Sequence, residues 1–205
     1  MRYTGADGIL IKQRANSIFK EIFRKAIHLC SAAVPFLLSA AYMPVMVLLG
    51  CALVLYSVSE ILRCRGVNIP VVSRITETAA RKRDENRFVL GPVTLVAGIM
   101  IAALLLPLDS ARIGIFALSF GDGLASLVGK LVGKVVIPFT RGKTAAGSLA
   151  CYAAVFTASF LCCGNVLTAL ILALCATVIE ILPLADFDNL VIPVAIGSVY
   201  FFFFR

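Results

Sequence analysis

Residues 119–134, "SFGDGLASLVGKLVGK", place an aspartate between two glycines inside a very apolar chain. As a soluble loop this stretch would break the apolar pattern. As the end of a membrane span it completes one, and the remainder of the sequence favours that. The chain has 205 residues, 60% of them hydrophobic, with a mean hydropathy of +0.99. Apolar runs of about 20 residues are the signature of a polytopic helical membrane protein. Seven candidate spans can be drawn, at about 26–42, 45–62, 88–107, 112–130, 146–163, 165–183 and 190–204. The fourth is the least apolar because it holds the quoted stretch, and Pro35 is expected to kink the first. The fold class is therefore all-α, a transmembrane bundle of about seven spans, with no room for a separate soluble domain.

The positive charges test that count. The net charge is +8, but the basic residues sit between apolar runs, as topology signals do, which argues against a nucleic acid partner. Six lie before the first span (Arg2, Lys12, Arg14, Lys20, Arg24, Lys25). Seven lie between the second and third (Arg63, Arg65, Arg74, Arg81, Lys82, Arg83, Arg87), and four follow the fourth (Lys130, Lys134, Arg141, Lys143). With seven spans all three segments share one side and hold 17 of the 19 basic residues, leaving Arg112 and Arg205 for the other. The rule of positive cytoplasmic loops makes the first side cytoplasmic, with the N-terminus on it. A wrong count would scramble this asymmetry. No internal repeat points to an inverted-repeat transporter.

Residues 1–25 read as a cytoplasmic tail and 26–205 as the membrane domain. Within "ANSIFKEIFRKAIH", Ile18, Phe19, Ile22 and Phe23 share one helical face among Lys20, Glu21, Arg24 and Lys25, as in an interfacial amphipathic helix. That segment is too long and too mixed for the start of a signal peptide. Seven cysteines, with no CxxC and mostly inside apolar runs, read as small packing residues rather than a disulfide framework or metal site.

Four ionisable residues lie within or at the edge of spans: His28, Glu60, Asp122 and Glu180. A carboxylate at the centre of a span costs about 2.5–3.5 kcal/mol on insertion scales, so such residues usually serve a site or face a watery cavity. Glu60 could instead pair with Arg63. His28 could donate to a backbone carbonyl, and Glu180 could sit at the rim. Asp122 is hardest to explain by structure alone. With Ser126, Gly129 and Gly133 it forms a small, polar helical face. Gly129 and Gly133 could serve helix packing as GxxxG. Gly121 and Gly123, beside Asp122, point to close approach of a ligand or to a broken helix.

Two further stretches lie on the same side. Arg141-Gly142-Lys143-Thr144, with Gly147 and Ser148, opens the fifth span, and glycine-rich backbone with cations at a helix N-terminus suits phosphate groups. It is not a Walker A loop, since Ile137 stands where that pattern needs glycine. The alternative is a topology-setting basic loop. In "ADFDNLVIP", Asp186, Asp188 and Asn189 bring hard oxygen donors of the kind that suit Mg²⁺, or simply cap a turn. Together these parts suit a magnesium nucleotide beside a lipid-filled groove, and hence phosphoryl transfer.

Four stretches resemble the CTP-dependent polyprenol and lipid kinases, a family that includes dolichol kinase, phytol kinase and fungal-type diacylglycerol kinase. They are "FRKAIHL", "RDENRFVLGP", "GDGLASLVGKLVGK" with "RGKTAAGSLA", and "EILPLADFDNLVIP". They occur in the family's order over roughly residues 20–195. The resemblance implies an integral membrane kinase, in a bacterial inner membrane or an ER-type membrane, passing the γ-phosphate of CTP to a long-chain alcohol or diacylglycerol. Asp122 would bind Mg²⁺ or accept the hydroxyl proton, with Asp188 as a second metal ligand. Lys143 and Glu180 would join Asp122 in catalysis. The nucleotide and its phosphates would meet Arg24, Lys25, His28, Gly121, Gly123, Lys130, Lys134, Arg141, Gly142, Thr144, Gly147, Ser148 and Asn189. Glu60, Ser126 and Asp186 would support them. Ala146 stands where the family usually has glutamate, which shifts a carboxylate role to Glu180 or Glu60. A homo-oligomer is compatible with this reading.

Two rivals remain at this stage. A phosphatidate cytidylyltransferase would also use CTP, but its C-terminal Lys-Asp and His-Gly-Gly signature is absent, and His28 lies at the wrong end. A transporter would account for the intramembrane charges but gives no reason for the cytoplasmic phosphate-like cluster.

Overall fold

A computed structural model describes the backbone of residues 5–67, 76 and 87–205, with side chains from residue 18 onward. Arg2, the side chains of Lys12 and Arg14, and Arg74, Arg81, Lys82 and Arg83 lie outside the described residues, as does "RDENRFVLGP" up to residue 86.

The described residues are mainly helical, with a short hairpin at 133–144. Helix α1 (Gly5–Cys30) passes through a 3-10 turn (Ser31–Ala33) into α2 (Val34–Ala40), and α3 is Tyr42–Cys64. Then come α4 (Gly91–Leu105), α5 (Leu108–Phe116), a π-helical turn (Ala117–Asp122) and α6 (Gly123–Val132). The last three are α7 (Ala145–Cys163), α8 (Val166–Ile181) and α9 (Asp188–Phe203). With α1–α2 and α5–α6 each taken as one pass, these are the seven expected runs. Four stretches are long and apolar enough to cross a membrane: Ile18–Ala40, Tyr42–Cys64, Leu108–Val132 and Ala145–Cys163.

Each break has a local cause. Pro35 cannot donate to the Ser31 carbonyl, and Val34 N–H takes that acceptor in the 3-10 turn. Thr144 and Asn165 cap α7 and α8, accepting from Gly147 N–H at 3.2 Å and Thr168 N–H at 3.1 Å. Gly164 ends α7 in the left-handed region that favours glycine.

The core lies where α4, α5, α7, α8 and α9 meet. Helices α8 and α9 bury residues at three- and four-residue spacing: Thr168, Leu172 and Ala176 on one, Asn189, Ile192 and Ile196 on the other. Pro193 cannot donate to the Asn189 carbonyl. That oxygen is pressed against Gly98 of α4, where a Cβ would lie 2.2 Å from it. Asn189 also donates its side-chain amide to Thr94 Oγ1 (3.1 Å) and the Gly91 carbonyl (3.3 Å), tying α9 to α4.

Helix α1 departs from the sequence reading. It runs unbroken across residue 25, so the expected interfacial helix and the start of the first span are one element. Its amphipathicity is also inverted. Glu21, Lys25 and His28, at i, i+4 and i+7, are buried, whereas Phe19 and Ile22 are exposed. Hydrocarbon outside the bundle welcomes the apolar face, while the polar face meets partners inside it.

Candidate active site

The π-helical turn sets the first part of the site. It inserts between α5 and α6 and ends on Asp122, which is buried. Such turns change which side chains a helix presents inward and recur at functional sites. The flanking glycines admit neighbouring helices. A Cβ at Gly121 would lie 2.7 Å from Val155 Cγ2 of α7, and one at Gly123 would lie 3.3 Å from Leu29 Cδ2 of α1. The helix passes through this turn in π geometry without breaking, so the expected break is not found, and these glycines make room for helix packing and do not line the cavity described below.

Lys25 Nζ forms an ion pair and hydrogen bond with Asp122 Oδ2. His28 Nδ1 lies 3.1 Å from the same oxygen. Ser31 Oγ donates to the His28 carbonyl (2.5 Å), which leaves Ser119 Oγ to donate to Ser31 Oγ (2.6 Å). The two hydroxyls thus fix α1 against the turn. A charged carboxylate this deep would be costly alone, and the ammonium of Lys25 offsets it.

One helical turn earlier, Glu21 pairs with Arg24 on its own helix and with Lys130 of α6. Glu21 was not expected at the site. The signal was available in its four- and seven-residue spacing from Lys25 and His28, a polar stripe that could have been read as facing inward.

Residues 133–144 fold back as a tight hairpin. Ile137 N–H donates to the Lys143 carbonyl (2.8 Å) and Ala145 N–H to the Val135 carbonyl (2.9 Å). Arg141 and Gly142 both have positive φ, 46° and 87°, so the turn holds a non-glycine residue in a strained region. The GxxxG pair seats this hairpin. A Cβ at Gly133 would lie 2.4 Å from Thr144 Oγ1, and one at Gly147 would lie 2.7 Å from the Ala125 carbonyl. The packing reading of Gly129 and Gly133 therefore holds, and its result is to bring 141–144 against α6. Lys143 then reaches the end of α8, with Nζ bonded to the Glu180 carbonyl and 3.0 Å from Glu180 Oε1. Beyond it Ala185, also at positive φ (61°), turns the chain into α9, where Asn189 N–H donates to Asp188 Oδ1 (2.9 Å).

These pieces enclose a cavity of about 380 Å³, a size typical of small-ligand sites. Four cations line it (Arg24, Lys130, Arg141 and Lys143), as do four carboxylates (Glu21, Asp122, Glu180 and Asp188). Ser126, Gly129, Gly142, Thr144 and Gly147 complete the expected part of the wall, with Ala125, Pro183 and Ala185 added.

Other expected residues stand elsewhere. Lys25 and His28 sit behind Asp122. Ser148 is buried with its hydroxyl unpartnered, and Asn189 serves the α4–α9 contact. Lys134 is exposed, and Asp186 lies in the turn before α9 without lining the cavity. Glu60 is not brought to the site. It binds Arg63 through both oxygens (2.7 and 2.9 Å) and accepts Val89 N–H (2.8 Å), fastening the entry to α4 onto α3.

The donor set bears on Mg²⁺. Among the described residues no three His, Cys, Asp or Glu side chains form a ready cage. Mg²⁺ rarely needs one, since one or two carboxylates with phosphates and water suffice. Glu180 Oε2 is buried with no hydrogen-bond partner, and Asp122 and Asp188 line the same cavity. These residues fit the ion.

No family model matches the chain, and no solved structure matches it. Curated relatives do. A probable chloroplastic phytol kinase of Triticum aestivum is 30% identical over 153 residues, 63% of this chain and 49% of that protein. One of Zea mays is 30% identical over 158 residues, covering 68% and 52%. Another, probable phytol kinase 1 of Oryza sativa subsp. japonica, is 28% identical over 149 residues, covering 63% and 47%. The chain thus spans about half the length of the curated relatives it matches. Over about two thirds of its length the chain is thus similar to these probable phytol kinases.

Proposed function

We propose that this protein is an integral membrane lipid kinase that transfers the γ-phosphoryl group of CTP to the hydroxyl of a long-chain alcohol such as an isoprenoid, or of diacylglycerol. The observation that carries the reading is the cavity at one end of an apolar bundle, walled by four cations and four carboxylates. A lipid hydroxyl and a polyphosphate are the two reactants that such a boundary can bring together. The choice of CTP rests on the motif resemblance, and the alcohol class on the phytol kinase relatives. The charge asymmetry supports a cytoplasmic site.

Phosphoryl transfer asks a protein mainly for positioning and charge neutralisation. Arg141, Lys143 and the Gly142 backbone would hold the phosphates at the N-terminus of α7, whose helix dipole also favours anions. Arg24 and Lys130 would approach from the opposite wall. Both Lys25 and His28 contact Oδ2 of Asp122, so Oδ1 is the oxygen that can accept a hydroxyl proton. Lys25 would hold Asp122 in place for that step. Mg²⁺, held by Asp188 and Glu180, would supply further neutralisation of the phosphate charge.

The test is purified protein with CTP and Mg²⁺, offered a panel of phytol, polyprenols and diacylglycerol, with products read by mass spectrometry. A phosphomonoester of one acceptor is expected, and its loss in Asp122→Asn. No phosphorylated lipid across the panel would overturn the proposal.

A further inference from the structure

The hairpin that carries Arg141 and Lys143 has a second side. Its first arm and the start of its turn read "VVIPF", residues 135–139, and there Phe139 is fully exposed at 100%, with Val135 at 68% and Val136 at 58%. Phe139 also has a positive φ of 64°, a conformation a bulky residue seldom adopts. A water-facing loop gains nothing from displaying phenylalanine and valines, and these residues lie past the end of the span at Val132, so crossing the bilayer does not explain them. The apolar surface is continuous with the span itself, because Leu131 and Val132 at the end of α6 are each 62% exposed. Lys134 and Arg141, both exposed, flank this stretch. An apolar stretch between cations has the chemistry of the bilayer interface, where aromatic side chains settle at headgroup level and cations meet anionic lipid.

We infer that the exposed 135–139 stretch, from the outer arm into the turn, is a membrane-dipping wedge, seated in the headgroup and upper acyl region of an anionic leaflet. Residues 141–144 on the same hairpin line the cavity, so the wedge sets the height of the phosphate-holding turn against the lipid surface. It would thereby present an acceptor hydroxyl at the depth of the phosphates. This consequence for turnover rests on the lipid kinase reading, whereas the seating of the loop does not.

The sequence contains no tryptophan, so Phe139→Trp makes a single-tryptophan protein. The full chain would be placed in nanodiscs containing phosphatidylglycerol, with and without lipids brominated at shallow acyl positions. Leu55→Trp, on the exposed side of α3, gives a lipid-facing reference. The wedge predicts blue-shifted emission for Phe139→Trp, quenching by shallow bromines and protection from aqueous iodide. Emission at the wavelength of free tryptophan, quenched by iodide and indifferent to bromines, would overturn it. Protection from both quenchers would mean that a second copy covers this stretch, and would overturn it equally. For turnover, Phe139→Asp should raise the apparent KM for the lipid acceptor roughly tenfold or more, as expected for removing one buried aromatic from the interface, with the KM for nucleotide unchanged. If no lipid is phosphorylated by the parent protein, the quenching result still decides the wedge.

Discussion

Replacing Lys25 with methionine keeps the side chain's reach and removes its charge. Lys25 is 1% exposed and Asp122 is 3% exposed, and the two are joined directly. Without the ammonium, Asp122 keeps only His28 as a neighbour among the groups contacting its carboxylate. Removing one partner of a buried pair costs about 3–5 kcal/mol, because the other charge is left uncompensated. In a chain of this size each kcal/mol moves Tm by about 2–4 °C, so Lys25→Met should unfold about 6–20 °C early. Asp122→Asn should also destabilise, by leaving Lys25 unpaired. The double variant Lys25→Met with Asp122→Asn has neither charge and should regain much of the loss, giving a coupling of at least about 1 kcal/mol. Unfolding can be followed with a thiol-reactive fluorophore in a background whose other six cysteines are replaced by alanine, since Cys151 is buried against the π-helical turn and becomes reactive when that packing opens. The double variant should be folded yet inactive, which separates the pair's structural role from its chemical one. A single variant as stable as the parent, or a double variant no more stable than either single, would refute the reasoning.

Other outcomes follow from the same geometry. Gly133→Ala would put a Cβ 2.2 Å from the Gly129 carbonyl and 2.4 Å from Thr144 Oγ1. Overpacking of this kind costs about 1–3 kcal/mol, and the hairpin's displacement should raise the KM for nucleotide; an unchanged Tm and KM would contradict the packing described. Glu180→Gln should raise the Mg²⁺ concentration for half-maximal activity roughly tenfold or more, read from a metal titration. An unaltered titration would remove Glu180 from the metal site. Cys64 ends α3 and Cys162 lies in the last turn of α7, both exposed. A seven-pass path puts them on opposite sides of the membrane. Single-cysteine variants treated with an impermeant maleimide in sealed vesicles should label from opposite faces, and labelling from one face would break the topology.

The seven-pass helical architecture was legible because its signal is long-range and simple. Apolar runs recur, and basic residues gather in alternate connections. Much of the cavity was legible too, since Asp122, Ser126, Arg141, Lys143, Glu180 and Asp188 are polar residues where apolar ones are the rule. What the sequence hid was direction. The stripe Glu21, Lys25 and His28 looked like the wet face of a helix lying on the membrane, because a helical pattern shows that two faces differ without saying which solvent each meets. Pairing across long separations was hidden as well. Nothing local tells Lys25 that it will meet Asp122, or Lys130 that it will meet Glu21. Glu60 misled for the complementary reason: a buried carboxylate can serve a helix junction as readily as a reaction, and only the Val89 N–H and Arg63 contacts distinguish them. Neither role weighed for the glycines around Asp122 is seen: the helix passes into π geometry there without breaking, and the space at Gly121 and Gly123 is taken by Val155 and Leu29.

The central claim is that the cavity moves a phosphoryl group from a nucleotide to a lipid hydroxyl. The most direct measurement gives purified protein CTP labelled at either the α or the γ phosphate, together with Mg²⁺ and the acceptor panel, and follows the label into extracted lipid. The account predicts label in lipid from γ-labelled CTP alone. Label from the α position would make the protein a cytidylyltransferase, and label from neither would contradict the account altogether.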